Sequence, residues 1–193
     1  MRYWFLLLLP LLICCNSGEK SQDGEQTENF PALSFLQGQV RHVDTSLYHI
    51  VKVVSEGNRS DTSIITREQF RKEAAPFLEL PDITKGKWKN EYTESKLYDE
   101  ALEKVVLFYT AKDPEAPVQR QQVIIDPNQG TSGLVTTLIF DHYESRDGYS
   151  YHRNMLWEVN QYFQISENRP GPGGREIIRR TRVFWNDFPT GSR

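Results

Sequence analysis

The chain opens on Tyr3 to Ile13, an apolar stretch interrupted only by Pro10, and then turns wholly polar: Asn16 to Asn29 holds no apolar side chain. Apolar positions return at Phe30 and follow two periods from there on. Leu33, Leu36 and Val40 recur at near-helical spacing, which predicts a short helix over 31–39, with Pro31 in its first turn and Gly38 at its end. Phe70, Ala74, Phe77 and Leu78 fall at i, i+4, i+7 and i+8, one buried face of a second helix. That helix starts at Thr66, where Thr66-Arg67-Glu68-Gln69 has the capping-box pattern, and Pro76 should kink or stop it. The remaining apolar stretches read as strands: 47–54, 60–65, 121–126, 134–143, 149–159, 162–167 and 176–185. Turn residues separate them at Glu56-Gly57-Asn58, Asp126 to Gly130, Ser145 to Gly148 and Asn168 to Gly174. Residues 91–103 stay open between helix and strand, because Glu94 to Glu103 are good helix formers while Val105 to Tyr109 has strand chemistry. A strand from about 101 to 111 is the favoured reading. Sequential strands with short connections predict an α+β fold: an antiparallel meander of about six to eight strands with one or two N-terminal helices packed on one face.

The first apolar run is too short to cross a bilayer, which needs ~20 residues, and it follows a positive start at Arg2. It has the anatomy of an export signal. Leu12-Ile13-Cys14-Cys15 resembles a bacterial lipobox, with Leu three before the modified cysteine and a small residue directly before it. Cys15 fits as the modified residue, since acylation of Cys14 would put bulky Ile13 in the small-residue slot. This divides the chain into a signal peptide (1–14), a lipidated Cys15 with a disordered polar tether (15–29) and one envelope domain (30–193). The resemblance implies a diacylglyceryl group on Cys15 carrying palmitate-like chains, often with a third chain on its amine. Two or three chains anchor lastingly where one does not. Ser17 beyond Asn16 suits outer-membrane sorting, with the periplasmic or surface face left open. An ordinary secretory signal cut near Ser17 is the alternative.

Charge narrows the partners. The chain has 23 Lys+Arg against 26 Asp+Glu, a net charge of −3. Loss of Arg2 with the leader makes it one unit more negative. That balance argues against nucleic acid and against strong attraction to anionic lipid. Cys14 and Cys15 are the only cysteines, so the domain has neither disulfides nor thiolate metal ligands.

Catalytic motifs are missing: there is no Gly-x-Ser-x-Gly elbow, and Gly171 to Gly174 lacks the Lys-Ser/Thr ending of a phosphate cradle. His42 and His49 flank Asp44, and His142 and His152 would approach each other in a hairpin, yet neither spacing is that of a metal motif. No cofactor, catalytic residue or metal site is assigned. Arg180 and Arg182 share one face of the last strand, with Arg179 on the other. They form either a patch for an acidic partner or headgroup, or cross-strand pairs that guard a sheet edge. Trp157 and Trp185 alternate with core positions and serve either as core or as the lining of an apolar cavity.

Cys15, Phe35-Leu36-Gln37-Gly38-Gln39 with Asp44-Thr45-Ser46, Leu156-Trp157 and Val183-Phe184-Trp185-Asn186-Asp187 together resemble a family of uncharacterised Bacteroidota lipoproteins. That resemblance brings no activity with it. In architecture alone, helices on a curved antiparallel sheet are similar to Lol-type lipoprotein carriers. The sequence therefore points to a membrane-anchored, non-enzymatic binding or assembly module that meets another envelope protein. The alternative is a carrier holding a lipid or acyl chain in a sheet cavity.

Overall fold

The structure is a computed structural model that describes residues 29–131, 133–146, 149–170 and 176–186. The leader, Cys14, Cys15, the tether to residue 28, the Gly171 to Gly174 loop and the final residues lie outside the described part. Two helices, α1 (Ala32–Thr45) and α2 (Arg67–Leu78), lie with nine strands: β1 (Val51–Glu56), β2 (Arg59–Ile64), β3 (Tyr92–Asp99), β4 (Lys104–Ala111), β5 (Val118–Asp126), β6 (Leu134–Arg146), β7 (Tyr149–Glu158), β8 (Tyr162–Pro170) and β9 (Glu176–Phe184). The strands form one antiparallel sheet in the order β2-β1-β9-β8-β7-β6-β5-β4-β3. From β3 to β9 the chain runs as a meander. The β1–β2 hairpin then joins the free side of β9, so the last strand is interior and the edges are β2 and β3.

Three local readings are corrected. The first helix runs through Gly38 to Thr45, because Leu36, Val40 and Val43 keep one buried stripe beyond the glycine. The hydroxyls of Thr45 and Ser46 close its end by donating to the carbonyls of Arg41 and Val43. Residues 92–99 are a strand, since they pair along their whole length with β4, from Tyr92↔Ala111 to Asp99↔Lys104. This strand raises the count to nine. The second helix starts as read: Thr66 accepts from the Gln69 amide (3.2 Å), and the Gln69 side chain accepts from the Thr66 amide (2.8 Å). Pro76 sits two residues before its end, within the helix rather than breaking it.

The two sheet faces differ. Along β7, β8 and β9 the residues Met155, Trp157, Phe163 and Val183 point to the helices and are buried. Phe70 and Phe77 of α2 fill that side edge-on, Phe70 against Trp185 (5.6 Å between centroids) and Phe77 against Trp157 (5.2 Å). Arg71 ties α2 to Asp44 of α1 at 3.0 Å. Among the described residues, no helix lies on the opposite face.

Candidate functional site

Antiparallel register lines up residues of successive strands into rows that share a face. On the helix face, one row beyond Met155 reads His142↔Arg153↔Glu167↔Arg179↔Glu56↔Arg59, running from β6 to β2. The side that is aromatic beneath α2 thus becomes an alternating charge ladder toward the hairpin turns. Arg153 centres it, with Glu144 at 3.3 Å and Glu167 at 3.7 Å. Burial, reinforced by the Arg153 charge, holds the His142 imidazole below its ordinary pKa, so it resists protonation.

Next to the ladder, the β1–β2 hairpin and Arg179 face α2 across an open cleft of about 340 Å³ lined by Lys52, Asp61, Gln69 and Glu73 among others. Lys52 and Glu73 pair at 2.5 Å inside it. A wider shallow cleft continues past Asp61 to Glu56, Asn58 and Arg59. Both are open to solvent and mix charged side chains with the apolar Val54, joined in the first cleft by Ile65, so neither is the enclosed apolar cavity that an acyl chain needs. Among the described residues, Arg59, Asp61 and Arg179 have no ion-pair partner.

The open face holds a second polar group. Asp141 accepts from Asn154 (2.9 Å) and Arg120 (3.2 Å), and the His152 imidazole lies 3.7 Å away, stacked on Tyr143 (4.4 Å). Arg180 and Arg182 lie on this face, as alternation requires. The neighbours of Arg180 are Ser55 and Ser166, and those of Arg182 are Val53 and Gln164. The edge-guarding reading of these arginines is corrected, because β9 is interior and the residues opposite them are not acidic. Arg182 donates to the Gln164 side-chain oxygen (2.7 Å), and Arg180 stands exposed.

Hairpin formation separates the histidines instead of joining them. His142 pairs with Arg153 and His152 with Tyr143, so the two imidazoles lie on opposite faces of the sheet. His42 packs edge-on against Tyr48 at the end of α1. Among the described residues no three His, Cys, Asp or Glu side chains gather as a metal site. Trp157 and Trp185 are buried together, with ring centroids 5.4 Å apart. The charge ladder was missed by sequence reasoning. His142 and Arg153 lie two residues from buried Phe140 and Met155 on the same face, but only the register shows that the row lines up.

The chain matches no family model, no curated protein and no solved structure.

Proposed function

We propose that this chain is an envelope lipoprotein, anchored through Cys15, whose sheet domain binds or assembles with another envelope protein without carrying out catalysis. The observation that supports it is the division of the sheet. Phe70, Phe77, Phe140, Trp157, Phe163 and Trp185 occupy the volume between helices and sheet that an apolar ligand would need. Charged side chains without ion-pair partners among the described residues, Arg180 on one face and Arg59, Asp61 and Arg179 on the other, gather around the β1–β2–β9 end. Charge so placed confers specificity on an encounter between proteins. No helix among the described residues is long and apolar enough to cross a membrane. In this reading the acyl chains on Cys15 supply all the membrane affinity.

Replacing Cys15 with Ser tests the anchor. The variant is expected in the soluble fraction and without palmitate label, whereas Cys14→Ser keeps both. A Cys15→Ser chain that still labels removes the lipoprotein reading. Native mass spectrometry of the soluble domain, purified from its own host, tests the rest. The bare mass is expected, and a retained lipid would favour the carrier instead.

A further inference from the structure

β2 is an edge strand, and among the described residues no strand pairs with its outer side. All six of its residues, Arg59 to Ile64, are exposed, and its pairing with β1 runs from Val51↔Ile64 to Glu56↔Arg59 without a register shift. The phase of that ladder is fixed where the Ile65 amide donates to the Ile50 carbonyl at 2.9 Å. Counting back in twos, Ser63, Asp61 and Arg59 direct their backbone groups at β1, while Ile64, Thr62 and Ser60 direct theirs outward. Such a row of free donors and acceptors is a template for another strand. Proline, lysine and a bulge, three of the usual protections, are missing from β2, and its two charged residues are of opposite sign. The other edge differs. β3 carries Lys96 and flanks β4, where the chain joins the fold through Phe30, whose amide donates to the Tyr109 hydroxyl at 3.0 Å.

We propose that β2 is a self-association surface, on which a second copy of this chain pairs its own β2 antiparallel about Ser60. The choice of occupant rests on charge. Arg59 and Asp61 stand two residues apart on the helix face of the strand, both without ion-pair partners among the described residues. Pairing about Ser60 sets each Arg59 opposite the other copy's Asp61, giving two ion pairs from one strand sequence. The register shifted by two residues sets Asp61 against Asp61 and is disfavoured. A contact of this kind is isologous and closes at two copies. Its twofold axis is perpendicular to the sheet, so both helix layers lie on one side. The Phe30 attachment to Tyr109, on the helix face, then emerges on that same side in both copies. β2 and β4 are seven strand spacings apart, roughly 34 Å, so the pairing edge is clear of the N-terminal segment.

The test uses the full chain as the expressing cell processes it. Ser60→Cys places two thiols on the axis, where hydrogen-bonded antiparallel partners have Cα atoms ~5.5 Å apart, within disulfide reach. Mild oxidation is expected to give a disulfide dimer with Ser60→Cys. The unsubstituted chain should not give it, and neither should Thr93→Cys on the β3 edge. In the Ser60→Cys background, Arg59→Asp alone and Asp61→Arg alone each set like charges opposite one another, so dimer yield should fall about tenfold. A mixture of these two variants restores both ion pairs and should recover the yield as the heterodimer, an outcome that misfolding could not produce. Yield from Ser60→Cys no higher than from Thr93→Cys overturns the proposal. So does cross-linking that ignores the two charge reversals, or a mixture no better than its components.

Discussion

Trp157 and Trp185 carry the core at the residue scale. Trp157 is stacked on Phe163 (5.2 Å, 21°) and meets Phe77 edge-on, and Trp185 packs on Phe70 and Phe163. Truncation of either to Ala leaves a cavity walled by aromatic rings that cannot collapse into it, at an expected cost of ~3–5 kcal/mol. Neither indole nitrogen has a hydrogen-bond partner among the described residues. Trp185→Phe therefore loses area without breaking a bond and should cost much less than the alanine change. Denaturant titration of the variants decides it, and losses below ~1 kcal/mol for the alanine changes would contradict a packed core. His142 gives a second residue-scale expectation. Its folded-state pKa lies below the ordinary value of 6.5, so between the two values the unfolded chain binds more protons at this site. Stability contributed here is present above pH 6.5 and is lost as the pH falls through that value toward the folded pKa. Compared with wild type, His142→Gln should therefore lose less stability between pH 7.5 and 5.5, roughly one unit either side of the unfolded pKa. Parallel stability–pH curves would show that His142 is not held neutral.

Gly38 sits mid-helix in α1, and a Cβ there would meet nothing nearer than the Arg41 guanidinium at 4.0 Å. At the scale of elements, Gly38→Ala is expected to raise stability by ~0.5–1 kcal/mol, chiefly by narrowing the unfolded ensemble. Thr66→Ala removes the cap acceptor of α2 and should cost ~1 kcal/mol. The same elements show what the sequence made legible. The capping box and the 3.6-residue stripe of α2 were readable because both signals are local. The stop at Gly38 was misread because the glycine penalty of about 1 kcal/mol is smaller than the burial of Val40 and Val43 beyond it. β3 stayed ambiguous because beyond buried Tyr92 both faces of this edge strand are largely exposed, and Glu94 and Lys96, on the face of Tyr92, are equally at home in a helix. Arg180 and Arg182 were placed on one face by alternation alone, whereas their interior position and uncharged neighbours depend on β9 pairing with β1, a contact more than 120 residues apart in sequence. The charge ladder from His142 to Arg59 is non-local in the same way.

At the scale of the whole molecule, the question is where the tether ends and the domain begins. Composition sets 16–29 apart as a segment with nothing to bury. The structure places Asn29 with the domain: its side-chain amide donates to the Ile83 carbonyl at 3.1 Å. Phe30 follows with its amide on the Tyr109 hydroxyl and its ring 5.7 Å from that of Phe35. It is also packed against both buried clusters, the one under the helices and the smaller one around Ile83, Tyr92, Tyr109 and Val123. Burial holds the Tyr109 hydroxyl protonated, with its pKa pushed up to about 12, so it accepts from Phe30 across the physiological range. A deletion and a substitution should therefore behave differently. Removing 16–28 removes only polar side chains, and the melting temperature is expected to stay unchanged within error. Phe30→Ala takes away a half-buried ring that joins the two clusters. A loss of about 2 kcal/mol there would lower the melting temperature by on the order of 5 °C in a domain of this length. Thermal unfolding of both variants beside the parent measures the contrast. A drop of several degrees on deleting 16–28 would mean that the acidic segment docks on the domain, and the arginines at the β1–β2–β9 end would then be its first candidate seat.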